Sequence, residues 1–132
     1  MADYTVIHAE DVPSMAAEVG MDPEHFDVRF LREALGLETF ALTVQRFAAG
    51  WKPTRGHRHG VQEEAYVLVS GRAQAKLDDE VVELEPITAV RVPPQTARAV
   101  RAAGDEEAVF VIVAAPQAGF DDVEFIPDFW ED

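Results

Sequence analysis

The 132-residue chain contains no cysteine and only two lysines, and no apolar run in it approaches the ~20 residues that a membrane-spanning helix needs. Without thiols there is no disulfide framework and no thiolate ligand. Zinc ribbons and iron-sulfur clusters are therefore excluded, and any metal must be held by imidazole, carboxylate or neutral oxygen. The polar start MADYTVIHAED lacks the basic and apolar regions of a signal peptide, so a cytoplasmic protein with no membrane partner is expected. Positive charge is scarce as well. Eleven basic residues against 25 acidic ones give a net charge of −14, which repels nucleic-acid phosphates and anionic lipid head groups. Neither nucleic acid nor a nucleotide cofactor is an expected partner.

What is present is 48% hydrophobic residues with charge interspersed among them, the composition of one globular domain, residues 1–132, built around one core. The acidic residues spread along the chain and are densest in DDVEFIPDFWED, which reads as a solvated surface. Residues 1–38 read as a helical or extended segment. Ser14 caps one or two helical turns to Gly20, and the spacing of Phe26, Phe30, Leu31, Ala34 and Leu35 predicts a helix from Pro23 to Leu35, stopped by Gly36.

From Thr39 onward, short runs rich in Val, Phe, Leu and Thr alternate with Gly, Pro and acidic turns, the pattern of an antiparallel sandwich or barrel. Eight strands are expected over residues 39–47, 57–60, 65–70, 73–77, 81–84, 88–92, 97–102 and 108–114, with a tight turn at Asp78-Asp79 and a strand end at Pro93-Pro94. The barrel then spans 39–115 and an acidic aromatic tail 116–132. Val67 to Val69 and Val109 to Val113 are apolar on both faces of their strands, so something must cover the outer side. The N-terminal segment, the tail and a second subunit are candidates, and a homodimer is the preferred one.

The segment Gly50 to Gly71, GWKPTRGHRHGVQEEAYVLVSG, places His57, His59 and Glu64 at metal-ligand spacing. Residues two apart on a strand share a face, so both imidazoles look inward, and Glu64 can close on them from the far side of a short turn. Two imidazoles and one carboxylate suit a first-row transition metal. The segment resembles the first motif of the cupins, G(X)5HXH(X)3,4E(X)6G, with six residues instead of five between Gly50 and His57. The resemblance runs over about residues 39–115. It implies an antiparallel cupin β-barrel of jelly-roll type, preceded by short N-terminal helical elements. It also implies a divalent Fe, Mn, Ni or Zn ion on His57, His59 and Glu64, and an oxygenase, isomerase or lyase acting on a small molecule. The second cupin motif is degenerate: Pro93 matches, but Ile87 and Gln95 replace glycines, Ala102 replaces an asparagine, and Arg98 stands where a fourth ligand, a histidine, belongs.

Two readings follow from Arg98, because a guanidinium keeps its proton and cannot ligate. In one, Arg98 pairs bidentately with Glu64 inside a metal-free barrel and acts as receptor for a small anion, as a binding or sensing module would require. In the other, Arg98 turns to the mouth and the triad binds the metal with open coordination positions. Among neighbouring residues, Gln62 is a further oxygen donor candidate, although at a strand end it reads more simply as an exposed side chain. Tyr66 faces inward, where its hydroxyl either meets a ligand or is satisfied in the core. Lys52, Arg55 and Arg58 gather basic charge beside the motif, enough to attract a small carboxylate or phosphate. His8 and His25 read as surface or packing residues, and Phe120, Phe125, Phe129 and Trp130 as a lid or staple across the barrel.

Overall fold

A computed structural model of the chain describes residues 2–115 and 122–130. After a 3-10 turn at Ala9–Asp11, the described elements are β1 (Phe26–Phe30), α1 (Arg32–Leu35), β2 (Ala41–Phe47), β3 (Gly56–His59), β4 (Glu64–Ser70), β5 (Ala73–Leu77), β6 (Glu80–Leu84), β7 (Ala89–Val92), β8 (Arg98–Ala102), β9 (Ala108–Ala114) and β10 (Val123–Ile126). All pairings are antiparallel. They form two five-stranded sheets, β1-β2-β9-β4-β7 and β10-β3-β8-β5-β6, enclosing a jelly-roll barrel.

The eight strands expected from the sequence are present, with ends shifted by two residues at most. Their alternation explains their placement. On β4, Tyr66 and Leu68 point inward, and on β9 Ala108, Phe110, Ile112 and Ala114 do the same, meeting Phe47 of β2 and Phe26 of β1 in the core. Phe110 stands edge-on to Phe47 at 5.8 Å and to Tyr66 at 6.2 Å, an arrangement that adds ring electrostatics to area burial.

The predicted helix from Pro23 to Leu35 is wrong over most of its length. Residues 26–30 form β1 along the edge of β2, in register Phe26 with Phe47 through Phe30 with Thr43, and only Arg32–Leu35 is helical. Phe26 and Val28 are buried while Asp27 pairs with Arg29 on the other face. This period-2 pattern shares Phe26 and Phe30 with the helical one, and the open edge of β2 decides between them by offering a ladder of backbone partners. The expected helix from Ser14 to Gly20 is a hydrogen-bonded turn, Val19 N to Met15 O, and Ser14 Oγ accepts from Val28 N instead of capping it. The barrel thus begins near residue 26.

It also ends later than expected, because β10 pairs with β3 in register Val123 with His59. Beyond β10 the tail crosses the second sheet: Trp130 N donates to Thr54 O, the Arg101 guanidinium lies 3.9 Å from the centre of the Trp130 ring, and Lys76 Nζ donates to Phe129 O. A Cβ on Gly56 would stand 2.5 Å from the Phe129 ring, so glycine there lets the tail dock. Phe120 lies outside the described residues. Among the described residues the outer face of the first sheet has no such cover: Val69 and Val113 are each 37% exposed. Among the described residues no helix is long and apolar enough to cross a membrane.

Candidate metal centre

The cavity of about 240 Å³ opens at the end of the barrel where β3, β4 and β10 meet. Phe26, Val28, Ile112 and Phe125 give it apolar walls, and Thr43, Gln45, Gln62, His57, His59 and Glu64 a polar one. His57 and His59, two apart on β3, both turn inward, with ring centres 5.0 Å apart and planes near perpendicular. Glu64 Oε1, at the start of β4, lies 3.6 Å from His57 Nε2 and 3.4 Å from His59 Nε2. Ligand atoms ~2.1 Å from one first-row ion are about 3.0 Å apart at an octahedral cis edge and about 3.4 Å apart at a tetrahedral one. The donor set fits a divalent ion.

The surroundings keep His57 and Glu64 in ligating form. Burial pushes the His57 imidazole below its ordinary value against the pull of Glu64, and nearby Arg98 adds to the lowering, so the neutral ring prevails at neutral pH. Burial alone would raise the Glu64 carboxyl, but the facing His57 and His59 imidazoles more than reverse this and hold it well below the usual carboxylate range. Tyr66 Oη donates to Glu64 Oε1 at 3.2 Å. Its hydroxyl is kept protonated first by burial and then by the Glu64 charge.

Arg98 is the residue on which the sequence readings divide. It sits on β8 directly across from His57, and its side chain is 1% exposed, so it does not turn to the mouth. Nor is the pair with Glu64 bidentate: the approach is Nη1 to Oε1 at 3.7 Å, while Nη2 donates to Pro93 O at 2.7 Å and Nε and Nη1 have no hydrogen-bond partner among the described residues. Arg98 lies behind Glu64, beside the packed half of the barrel at Leu77, Leu84 and Val92, and does not border the cavity. It acts on the site through its charge alone.

Gln62 is buried, contrary to its reading as an exposed strand-end residue. Its Nε2 donates to Ala115 O at 2.5 Å, which leaves its side-chain oxygen available at the cavity wall. Asp122 was not singled out by any motif. It lies just ahead of β10, its carboxylate accepts from Val61 N and Gln62 N, and Oδ2 comes within 3.3 Å of His59 Nδ1. His59 Nδ1 has no hydrogen-bond partner among the described residues, so Asp122 places a carboxylate behind the ring without a formed hydrogen bond. An Asp in an acid-rich tail carries no spacing signal, so only the pairing of β10 with β3 reveals it. Thr43 and Gln45 were legible in principle, since alternation along β2 puts them on the face of Phe47. His25 stacks on Trp51 at 6.1 Å and His8 Nδ1 accepts from Glu10 N, so both are structural. The exposed group Asp22, Glu24 and His25 is a turn in which Asp22 accepts from Glu24 N and contacts His25.

Residues 43–114, more than half of the chain, match the cupin domain family. The chain belongs to that family. Solved structures agree on the fold. A cupin protein from Bacteroides fragilis superposes with a TM-score of 0.69 at 22% identity, over 91% of this chain and 89% of that one. The cupin domain of an XRE-family transcriptional regulator from Enterobacter cloacae gives 0.60 at 21% identity over 70% and 98%. An oxalate decarboxylase from Bacillus subtilis gives 0.64 at 15% identity over 90% of this chain and 30% of that one. No curated protein sequence matches the chain.

Proposed function

We propose that this cupin is a metal-dependent enzyme, of the oxygenase, isomerase or lyase type, acting on a small polar or anionic molecule held in the barrel. The observation that carries the reading is the convergence of His57 Nε2, His59 Nε2 and Glu64 Oε1 within a ligand set's span at a cavity wall. A divalent Fe, Mn, Ni or Zn ion there would supply a Lewis acid with open coordination positions. The chain's own groups prepare that place. Asp122 puts a carboxylate 3.3 Å behind His59 Nδ1, Tyr66 steadies the Glu64 carboxylate by hydrogen bonding, and Phe26, Val28 and Ile112 line the apolar side. With neutral imidazoles, the charges of Glu64 and Asp122 are offset by a dication and Arg98 to leave the buried cluster one positive charge, which suits an anionic ligand.

Metal analysis of protein purified without a histidine tag or chelating resin tests this. One ion per chain, lost in His57→Ala, is expected; substoichiometric metal that His57→Ala leaves unchanged would sink the triad. A second reading draws on the unpartnered Arg98 Nε and Nη1, and on the fold likeness to the Enterobacter cloacae regulator domain: a metal-free binding or sensing module in which Arg98 neutralises Glu64. We further infer a homodimer through the outer face of the first sheet, where Val67 and Val69 of β4 lie beside Val109, Val111 and Val113 of β9. Sedimentation of a Val113→Lys variant as a monomer would support that surface, and an unchanged sedimentation coefficient would exclude it.

A further inference from the structure

Arg55 stands at the cavity immediately ahead of the histidine strand, and of the nine arginines it alone borders that space. Acidic residues outnumber basic ones by 25 to 11, and Arg29, Arg46, Arg58, Arg72, Arg91 and Arg98 each lie within 4 Å of a carboxylate. Like Arg32, whose guanidinium donates to Leu37 O and Glu38 O, the partly exposed Arg55 has none among the described residues. Its guanidinium is instead held in place by neutral groups. Nη2 donates to Val19 O at 2.6 Å, and the group lies 4.1 Å from the centre of the Phe125 ring. Of its five N–H donors, one has a hydrogen-bond partner among the described residues. Fixed donors on a half-desolvated cation bind an anion without the entropic cost of ordering a free side chain.

We propose that Arg55 is the anion receptor of the cavity, binding the carboxylate of a small molecule whose apolar body lies against Phe125, Phe26 and Met21. The inference rests on the cavity reading above and names its ligand class. Three features select that class. Arg55 is the one arginine bordering the cavity, and Glu64 borders the same space, so a monoanion is favoured over a dianion. A planar carboxylate matches the guanidinium fork. The volume, about 240 Å³, falls below the ~300 Å³ at which most small-molecule sites begin, so the body is of single-ring or short-chain size. Held this way, the ligand is anchored at the mouth and presents its far end to His57, His59 and Glu64.

Benzoate and the neutral benzyl alcohol, similar in size, are the probes, titrated calorimetrically into untagged full-length protein before and after EDTA treatment, with metal content measured on the same samples. Wild type should prefer benzoate by roughly tenfold or more. Arg55→Gln should bring the two probes within about twofold at unchanged metal content, and Arg55→Lys should retain part of the preference. Benzoate should also shift the Arg55 Nε–H resonance of wild type, a readout that does not depend on any variant folding. A preference that survives EDTA and is lost in Arg55→Gln upholds the receptor whether or not the triad holds metal. A preference unchanged in Arg55→Gln, one abolished by EDTA alone, or no preference in wild type overturns it; the second of these leaves the metal reading intact.

Discussion

Replacing Arg98 by glutamine should tighten metal binding, and the structure sets the scale. Arg98 Nη1 lies 3.7 Å from the Glu64 oxygen that would ligate the ion, and the side chain is 1% exposed, so solvent screens it little. At an effective dielectric near 20, a unit charge and a dication about 5 Å apart repel by about 7 kcal/mol. Two effects reduce this. The Glu64 carboxylate, 3.7 Å from Arg98 Nη1, offsets part of its charge, and packing relaxes around the ion. Even if only about 2 kcal/mol survives, the Kd falls roughly thirtyfold. Arg98→His should tighten binding further, since it restores a fourth nitrogen donor across the ladder from His57. The assay is competition for Zn(II) or Mn(II) against a chromogenic chelator at fixed pH, with circular dichroism confirming the fold. A Kd for Arg98→Gln within threefold of wild type, in a folded protein, would refute the electrostatic reasoning.

Three further outcomes are expected. Asp122→Ala removes the acceptor for Val61 N and Gln62 N and the carboxylate behind His59, so metal affinity should drop about 10- to 100-fold in the same competition assay. Glu64 is held below its ordinary value of 4.5 in the fold, so its contribution to stability is complete above that pH and is lost as the pH falls below it; the urea midpoint of wild type should decline from about pH 5 to pH 3 more steeply than that of Glu64→Gln. Gly71 has φ +79°, and a Cβ there would stand 2.1 Å from Glu107 O, so Gly71→Ala should cost roughly 2 kcal/mol or more in denaturant unfolding.

Legibility followed the range of the interactions. The strands from residue 41 to 114 could be read because their alternation is local and strong, and His57, His59 and Glu64 because strand spacing and one short turn are enough to join them. The stretch 26–35 could not, because Phe26 and Phe30 satisfy helical and strand periods alike and the winning partner, β2, starts 11 residues after β1 ends. Gln62 looked like a surface residue because its partner, Ala115 O, is 53 positions away.

By itself, then, the amino-acid sequence determined the barrel's strands, the acidic surface, the absence of thiolate chemistry and the inward-facing triad. All of these follow from residue type and near-neighbour spacing. Only the tertiary structure decided what surrounds the triad. It places Asp122 behind His59 through the pairing of β10 with β3, sets Arg98 behind Glu64 and not in the cavity, and holds Arg55 at the mouth between Val19 and Phe125. Charge–charge effects depend on distance and burial, which arise only when strands remote in sequence are brought together.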